Sequence, residues 1–258
     1  MDLIGLQQFS LEGKNAIVTG AAKTSGLCYE MAKALHDAGA KVVLIDVSED
    51  VFSLVKMLGG AENRYYAVQA DLCSQDSRQQ GFSKALELSG GRLDILLNGA
   101  GIQYRCEAVD FPFDMWERII NINLNALFAM CQLAAKAMIP NGSGKIINIA
   151  SMTSFCASKR IAAYAASKGG VMQLTKALSN EWCGLGINVN AIAPGYMDTE
   201  LTANMKNTEQ GKAHTARIPA GRWGKPEDLC GVTIFLASAA SDYISGSIIP
   251  VDGGYLGS

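Results

Sequence analysis

Histidine is nearly absent from this sequence, which has only two in 258 residues, His36 and His214. This scarcity excludes a histidine-rich metal site, and we predict no metal site at all. A Ser-His-Asp triad would have to use one of these two residues, and neither stands beside a nucleophile motif, so no triad is expected. His36 falls near the end of a predicted helix, where it would face the negative end of the helix dipole.

Closely spaced cysteine pairs are also missing. None of the seven cysteines forms a C-x-x-C pair, and all lie far apart in sequence. Their odd number, without a recognisable signal peptide, predicts reduced thiols, mostly small residues of the core. They are Cys28, Cys73, Cys106, Cys131, Cys156, Cys183 and Cys230.

Strong charge and long apolar runs are lacking as well. Charged residues make up 18% of the sequence and the formal net charge is −2, without a basic cluster, which argues against a nucleic acid or an anionic membrane as partner. No run reaches the roughly 18 apolar residues that a membrane span needs. The segment MDLIGLQQFS has no basic region before an apolar stretch. A soluble, cytoplasmic protein is therefore expected.

What is present is an alternation of strand-like and helix-like segments. Hydrophobic residues make up 49% of the sequence, enough for one substantial core, and no break in composition divides the range 1–258. The strand-like segments are continuous apolar runs, typical of a parallel sheet covered on both faces. We predict an α/β fold, a single-domain doubly wound (Rossmann-type) sheet of about seven strands. The least regular stretch, about 198–225, is a candidate substrate lid.

Polar and glycine residues end several predicted strands, where ligands bind in doubly wound sheets. These residues are Gly20, Asp46, Asp71, Asn98, Ser151 and the pair Pro194 and Gly195.

The first of these ends carries the unusual glycine loop TGAAKTSGLC, residues 19–28. Asp46 follows Gly26 by 20 residues, the spacing of a dinucleotide site, in which an acid binds the adenosine ribose. The loop is two residues too long, and Cys28 stands where a last glycine is expected. Ser25 is expected to bind phosphate in place of that glycine. For Lys23 a phosphate contact and a solvated turn remain equally open, and Thr24 is a further candidate.

Tyr164 and Lys168 are spaced i, i+4, which places them on one face of a helix. The spacing alone is not specific, because Tyr29 and Lys33 repeat it; we interpret that second pair as a surface pair. Tyr164 follows Ser151 by 13 residues, and Ser151 can bond a substrate oxygen while Tyr164 transfers its proton.

Asn123 lies in the middle of the long helix predicted from about Phe113 to Met138. Asparagine is a poor helix former there. Taken alone, a solvated side chain would be the more common explanation.

Taken together, these motifs resemble the short-chain dehydrogenase/reductase family over nearly the whole sequence. The resemblance rests on TG…G, Asp71–Leu72, NGAG at 98–101, Asn123, Ser151, Tyr164/Lys168 and PGYMDT at 194–199. It implies a catalytic tetrad. Tyr164 would be the acid/base, Lys168 would lower its pKa and bind the nicotinamide ribose, Ser151 would orient the substrate, and Asn123 would hold a water that relays protons.

The resemblance also implies a cofactor site along the strand ends. Asp71 and Leu72 would flank the adenine, Thr199 would bond the carboxamide, and Asn98, Ala100 and Gly101 would line the cofactor. The full set of candidate cofactor-binding residues is Gly20, Thr24, Ser25, Gly26, Leu27, Asp46, Asp71, Leu72, Asn98, Ala100, Gly101, Tyr164, Lys168, Pro194, Gly195, Met197 and Thr199.

Two positions depart from the family pattern. Gly99 replaces an asparagine of the usual N-N-A-G, and the first glycine motif is altered as described above. Within the family, the segments INVNAIAPGYM, RIPAGRWGKPEDL and VDGGYL resemble bacterial sugar-acid dehydrogenases of the 2-deoxy-gluconate 3-dehydrogenase and gluconate 5-dehydrogenase branch. Members of this branch carry arginines soon after N-A-G. Arg105 is therefore a candidate substrate-binding residue, with Ser151, Tyr164 and Tyr196, although a surface role for Arg105 is equally open.

The leading hypothesis is an enzyme that moves hydride between NAD and a secondary alcohol such as a sugar acid or polyol. Asp46 favours NAD over NADP because its charge would repel a 2′-phosphate, whereas Lys23 would favour the phosphate. The alternatives are an NADPH-linked ketoacyl or steroid reductase and a dinucleotide-sensing protein without catalysis. By resemblance we expect a homotetramer. Apolar residues on the long helices support it, for example Leu124, Leu127, Phe128, Met130, Leu174 and Leu178.

Overall fold

The computed structural model describes residues 4–257, and at Ile4 and Leu201 only the backbone. Residues 1–3 and 258, which the predicted domain includes, lie outside the described residues. The strands are β1 Asn15–Thr19, β2 Lys41–Asp46, β3 Tyr65–Gln69, β4 Ile95–Asn98, β5 Gly144–Ile149, β6 Ile187–Pro194 and β7 Ile248–Val251.

Helices connect the strands. The α-helices are α1 Ile4–Gln7, α2 Leu27–Asp37, α3 Asp50–Met57, α4 Gln75–Leu88, α5 Phe113–Ile120, α6 Leu127–Met138, α7 Ala162–Trp182, α8 Glu200–Lys206, α9 Glu209–Ala216 and α10 Cys230–Ala237. Single-turn 3₁₀ helices are Gly60–Asn63, Ala108–Asp110, Ile139–Asn141, Met152–Ser154, Cys183–Leu185, Pro226–Leu229, Ala239–Ser241 and Tyr255–Gly257.

The strands form one parallel sheet in the order β3-β2-β1-β4-β5-β6-β7. This confirms the predicted fold class and strand number. The order reverses between β1 and β4, so their carboxyl ends border a crevice, which is where doubly wound sheets bind ligands. Register fixes the two strand ends side by side, because Thr19 pairs with Asn98.

Helices cover each face of the sheet, and a separate apolar core lies between the sheet and the helices on each side. One core includes Met31 and Leu35 of α2, and the other includes Met130 and Cys131 of α6 and Val171 of α7. Strands β1, β2 and β6 are buried along almost their whole length, because alternate side chains enter opposite cores.

The helix predicted from about Phe113 to Met138 is interrupted at its centre. Residues Asn121–Ala126 form a π-helical turn between α5 and α6, which is a frequent feature of functional sites. By length and composition alone the stretch Phe113–Asn141 could cross a membrane, with a mean hydropathy of 1.3 in its most apolar window. Polar residues interrupt its apolar run, and α6 packs on β4 and β5 of this sheet.

Two local expectations need correction. The range 198–225 is not irregular, because it holds the helices α8 and α9. Of the seven cysteines, all free, only Cys28 and Cys131 are buried and Cys183 is exposed, so most thiols are not core residues. His36 lies in the last turn of α2, as predicted, and also stacks on Tyr65 with ring centroids 4.3 Å apart.

Candidate active site

The glycine loop brings the ends of β1 and β4 into close contact. Gly20 has φ +77°, and a Cβ there would lie 2.6 Å from Ala100 Cα, so only glycine fits. Thr19 Oγ1 accepts hydrogen bonds from the N–H groups of Gly99 and Ala100, at 3.1 and 3.2 Å. The floor of the crevice is therefore backbone, which lets a ligand approach closely.

The two departures from the family pattern occupy the same space. A Cβ added at Gly99 would overlap Cys28 Sγ. The thiol of Cys28, in the first turn of α2, thus fills the volume that a side chain at position 99 would take. Burial raises the pKa of Cys28 to about 12, so the thiol is neutral and acts as an apolar packing group.

The first turn of α2 points its free N–H groups toward the crevice. Gly26 is the N-cap, and no side chain caps the helix, so the N–H groups of the first turn are available to an anion. An open cleft of about 390 Å³ adjoins the loop and is lined by Lys23, Thr24 and Ser25, among others. Ser25 Oγ donates a hydrogen bond of 2.9 Å to Glu200 of α8.

The acids at the ends of β2 and β3 also shape the loops. Asp46 accepts bonds from the N–H groups of Ala22 and Ser48, both at 3.0 Å, which fixes its carboxylate beside the glycine loop. Asp71 accepts a bond of 2.8 Å from Cys73 N. Leu72, which follows Asp71, is buried.

Asn98 differs from its expected environment. Its side chain is buried and donates to Asn148 Oδ1 at 3.0 Å, bracing β4 against β5. A nucleotide could therefore contact Asn98 only at its backbone atoms. Gly101 is exposed, and a Cβ there would lie 3.0 Å from Asn123 Oδ1, so this glycine lets the chain pass over Asn123.

Ser151, Tyr164 and Lys168 converge at the end of β5. The hydroxyl of Ser151 is close enough to Tyr164 to lower the pKa of its phenol by hydrogen bonding. Lys168 is buried, donates to Ile149 O at 2.6 Å, and has its Nζ 5.7 Å from the centroid of the Tyr164 ring. The i, i+4 spacing thus places both side chains on one face of α7.

Burial acts on both ionisable groups. It raises the pKa of Tyr164, and the hydrogen bond from Ser151 and the positive charge of Arg105 lower it in part. Burial lowers the pKa of Lys168 to about 8. In the protein without a cofactor, both groups are therefore biased toward their neutral forms.

Asn123 is not a solvated side chain. It is fully buried in the π-helical turn, where Oδ1 accepts from Ile102 N at 2.8 Å and Nδ2 donates to Ile102 O and Ser167 Oγ at 3.0 and 3.1 Å. The side chain ties the loop after β4 to α7. The side-chain amide of Asn123 is fully engaged in these three bonds. The predicted proton-relay water would therefore have to be held by the backbone of Asn123.

The loop after β6 brings a further set of candidates to the crevice. A Cβ at Gly195 would lie 2.7 Å from Asp252 Cα, so the loop packs tightly after Pro194. Met197 is buried and pairs with Gly224. Thr199 is the N-cap of α8, which places its hydroxyl at the start of the proposed lid.

The substrate side of the crevice combines aromatic and cationic groups. Tyr196 Oη lies 3.0 Å from His214 Nδ1, and the two rings stack with centroids 4.4 Å apart. The charge of Arg105 lowers the pKa of Tyr164, of Tyr196 and of His214. Arg105 itself is exposed, and its charge reaches all three groups.

Sequence reasoning missed His214 and Arg217. Both lie at the end of α9, and the charge of Arg217 acts on His214. Their i, i+3 spacing within the suspected lid was the available signal. In the second Tyr-Lys pair, Lys33 Nζ lies 5.3 Å from the centroid of the Tyr29 ring and 3.1 Å from the Glu30 carboxylate.

Comparison with known proteins gives consistent matches. A family model described as Enoyl-(Acyl carrier protein) reductase matches residues 20–256. A 2-dehydro-3-deoxy-D-gluconate 5-dehydrogenase of Escherichia coli (strain K12) is 45% identical over 253 residues, covering 97% of this chain and 98% of that protein. An NAD-dependent glycerol dehydrogenase of Listeria innocua is 36% identical and covers 96% of both chains.

A solved structure extends this similarity to three dimensions. It is a gluconate 5-dehydrogenase from Burkholderia cenocepacia J2315 in complex with NADP and tartrate. Its TM-score is 0.93 at 37% sequence identity, with 98% of this chain and 99% of that chain covered. The similarity thus spans the crevice, the range 198–225 and the sheet together.

Proposed function

The chain belongs to the short-chain dehydrogenase/reductase family, and from this premise we propose that it oxidises a sugar acid or a related polyol at a secondary alcohol, with NAD as its preferred cofactor. Membership makes it a pyridine-nucleotide-dependent oxidoreductase acting on CH–OH groups. The observation that carries the proposal is the convergence of Ser151, Tyr164 and Lys168 within the electrostatic reach of Arg105.

The crevice fits a dinucleotide. Its floor is the backbone contact between Gly20 and Ala100, too tight for a side chain. Ser25, Gly26, Leu27 and the other N–H groups that open α2 would hold the pyrophosphate. The remaining candidates would hold the rest of the nucleotide: Asp46, Asp71 and Leu72 at the adenosine end, and Lys168, Pro194, Gly195, Met197 and Thr199 at the nicotinamide end. When bound, the nicotinamide ring supplies the acceptor for a hydride from the substrate carbon.

The residues of the chain would manage the proton. Tyr164 would take the proton of the substrate hydroxyl, and Ser151, next to Tyr164, would hold the substrate oxygen. A protonated Lys168 would favour the phenolate and so offset the burial that raises the pKa of Tyr164. Asn123 would keep the loop after β4 and α7 in place around this group.

The preference for NAD rests on the acids near the glycine loop. Asp46 is fixed at the end of β2, and Asp50 and Glu200 line the adjoining cleft, with Lys23 as the one cation among its lining residues in the described chain. Three carboxylates against one ammonium disfavour a 2′-phosphate. NADP bound in three solved structures of relatives argues the other way, so the two cofactors must be compared directly.

The substrate class rests on Arg105 and Tyr196. A guanidinium binds a carboxylate through two parallel hydrogen bonds, and tartrate, found with one relative, is a hydroxy acid. A ketoacyl or steroid reductase would need an apolar channel, whereas this cleft presents Arg105, Tyr196 and His214.

A substrate panel tests the proposal. Purified enzyme is incubated with NAD or NADP and with gluconate, deoxygluconates, glycerol and glucitol, and formation of reduced nucleotide is followed at 340 nm. We expect the highest kcat/KM for a sugar acid with NAD. A higher kcat/KM with NADP would reject the cofactor choice alone, and no turnover of any hydroxy acid or polyol would reject the function.

Two charge variants separate the cofactor determinants. Asp46→Asn should raise kcat/KM for NADP relative to NAD, because a repulsive charge is removed, and Lys23→Ala should do the reverse.

The proposal also includes a cytoplasmic location, which cell fractionation followed by immunoblotting would check.

A further inference from the structure

The far wall of the substrate cleft is built by the two missed residues, His214 and Arg217, together with Tyr196 and Tyr255. Arg217 lies over the ring of Tyr255, with its Cζ 4.7 Å from the ring centroid. Tyr255 meets Tyr196 edge to face at 5.6 Å, and Tyr196 stacks on His214. This chain of contacts holds the end of α9 against the cleft.

Tyr196 itself has little freedom. Its ring is also 5.2 Å from that of Trp223, and its hydroxyl lies 3.0 Å from His214 Nδ1. Trp223 in turn donates a hydrogen bond of 2.9 Å to Thr215 of α9. The wall is therefore prearranged, which lowers the entropic cost of binding a polar ligand.

Burial lowers the pKa of His214, and the positive charges of Arg105, in the loop after β4, and Arg217, at the end of α9, lower it further. Among residues 4–257, neither arginine forms an ion pair with an acidic side chain, unlike Arg92 and Arg222, which pair with Asp94 and Asp228. The guanidinium of Arg217, held over Tyr255 beside the stacked rings of Tyr196 and His214, is therefore complementary to an anion.

We propose that Arg217 and His214 complete, with Arg105, a subsite for the carboxylate end of a hydroxy-acid substrate. Arg217 binds the carboxylate, and Arg105 adds a second positive charge. His214, held by Tyr196, hydrogen-bonds a neighbouring hydroxyl of the substrate. Because Tyr196 packs in one apolar cluster with Met152, which follows Ser151, a carboxylate held at this wall leaves the reacting carbinol to extend toward Tyr164. This inference rests on the proposed function and names the substrate class of that site.

Binding without turnover gives a direct test. Enzyme saturated with reduced nucleotide is titrated calorimetrically with gluconate and with glucitol, the neutral polyol of the same chain length. Arg217→Met keeps an unbranched side chain over Tyr255 but removes the charge. We expect it to raise the Kd of gluconate at least about tenfold, the usual cost of losing a hydrogen bond to a charged group, and that of glucitol less than about twofold.

Further variants locate the effect. Arg217→Lys keeps the charge without the forked donor and should give an intermediate Kd for gluconate. His214→Phe keeps the stacking on Tyr196 but loses a bond to a hydroxyl that both ligands carry, so both Kd values should rise by a similar factor. Lys212→Met, on the exposed face of α9 where Lys212 pairs with Glu209, is the matched control and should change neither.

The outcomes separate the two proposals. If wild-type enzyme oxidises gluconate but Arg217→Met shifts both ligands equally, or neither, the carboxylate subsite is rejected and the proposed function stands. Equal affinity of the wild type for gluconate and glucitol would reject the subsite in the same way. If the wild type oxidises no member of the substrate panel, the proposed function itself fails. Melting temperatures of the variants confirm that each is folded.

Discussion

At the scale of single residues, Tyr164 illustrates how an environment can oppose the chemistry proposed for it. Burial raises the pKa of its phenol, although the base role needs a lower value. Ser151 and Arg105 lower the pKa in part, and the remaining bias must come from the ammonium of Lys168 and a positively charged nicotinamide. The lowered pKa is thus expected only in the complex with oxidised nucleotide.

Replacing this phenol is the most direct test of the tetrad. Tyr164→Phe keeps the ring and its packing but removes the only group proposed to carry the proton. We expect kcat to fall by at least about 10²-fold, the effect of losing a general acid/base, with nearly unchanged NAD affinity. Tyr29→Phe in the second Tyr-Lys pair is the control and should leave both values unchanged. Retention of more than about a tenth of wild-type turnover would assign the proton to another group.

The pKa of Lys168 predicts a pH dependence of cofactor binding. Burial lowers this pKa to about 8, so the free enzyme loses the ammonium as the pH rises through that value. We expect the Kd for NAD to be constant below about pH 7 and to increase above about pH 8, because the ribose loses a charged donor. Fluorescence titration of the enzyme with NAD, from pH 6 to 9.5, measures this Kd. In Lys168→Met the Kd for NAD should be higher and independent of pH. A pH dependence of the Kd that persists in this variant would contradict its assignment to Lys168.

At the scale of elements, a side chain of helix α2 occupies space that a side chain in the loop after β4 would otherwise fill. The thiol of Cys28 fills the space that a side chain at position 99 would need. Two departures from the family pattern, separate in the sequence, are therefore one coupled change. No spacing rule reveals such a coupling, because it depends on how closely the ends of β1 and β4 approach.

A double-mutant cycle tests this coupling. Gly99→Asn alone places a side chain onto Cys28 and should destabilise the protein by about 1–3 kcal/mol, the usual cost of overpacking. The melting temperature should then fall by roughly 2–4 °C for each kcal/mol in a protein of this size. Adding Cys28→Gly should restore most of the loss. Additive effects of the two substitutions would show that the positions are independent.

Helix α8 connects the proposed lid to the glycine loop. Glu200 accepts the hydrogen bond of Ser25, one of the residues proposed to hold the pyrophosphate. A bound pyrophosphate would compete for Ser25 and would face the carboxylate of Glu200. We propose on this basis that the range 198–225 moves as a lid when the nucleotide binds.

Neutralising that carboxylate should strengthen cofactor binding. Glu200→Gln keeps the size of the side chain and removes one negative charge near the pyrophosphate site, so the Kd for NAD should fall by about threefold, as a single partly screened charge predicts. Calorimetric titration measures this change. Glu209→Gln, also in the lid but paired with Lys212, serves as the control. A weaker affinity in Glu200→Gln would mean that Glu200 holds the lid in its binding position.

At the scale of the whole molecule, the alternation of apolar strands and helices was sufficient to predict the sheet and its strand number. The proximity of Tyr164 and Lys168 was predictable because residues spaced i, i+4 share one helix face. The π-helical turn around Asn123 was not, since it depends on the bonds to Ile102 and Ser167 from distant segments. His214 and Arg217 were missed because α9 folds back onto Tyr196 through tertiary contacts alone.

The argument for a homotetramer also changes in three dimensions. Leu127, Met130 and Leu178 are buried within the single chain, and Leu124 and Leu174 pack partly against its core, so five of the six apolar residues cited for an interface have intramolecular contacts. What remains exposed beside them is Phe128, at 38%, and Phe113, at 71%. These two rings mark the outer face of α5 and α6.

We still expect a homotetramer, now with its contact on that outer face. Light scattering coupled to size exclusion should give four times the mass of the chain at micromolar concentration. Phe128→Glu places a charge in the proposed contact and should shift the protein toward smaller species, because burying an unpaired charge is costly. Phe52→Glu, a similarly exposed ring on α3, should leave the mass unchanged. A monomeric wild type would reject the assembly, and an unshifted Phe128→Glu would move the contact away from α5 and α6.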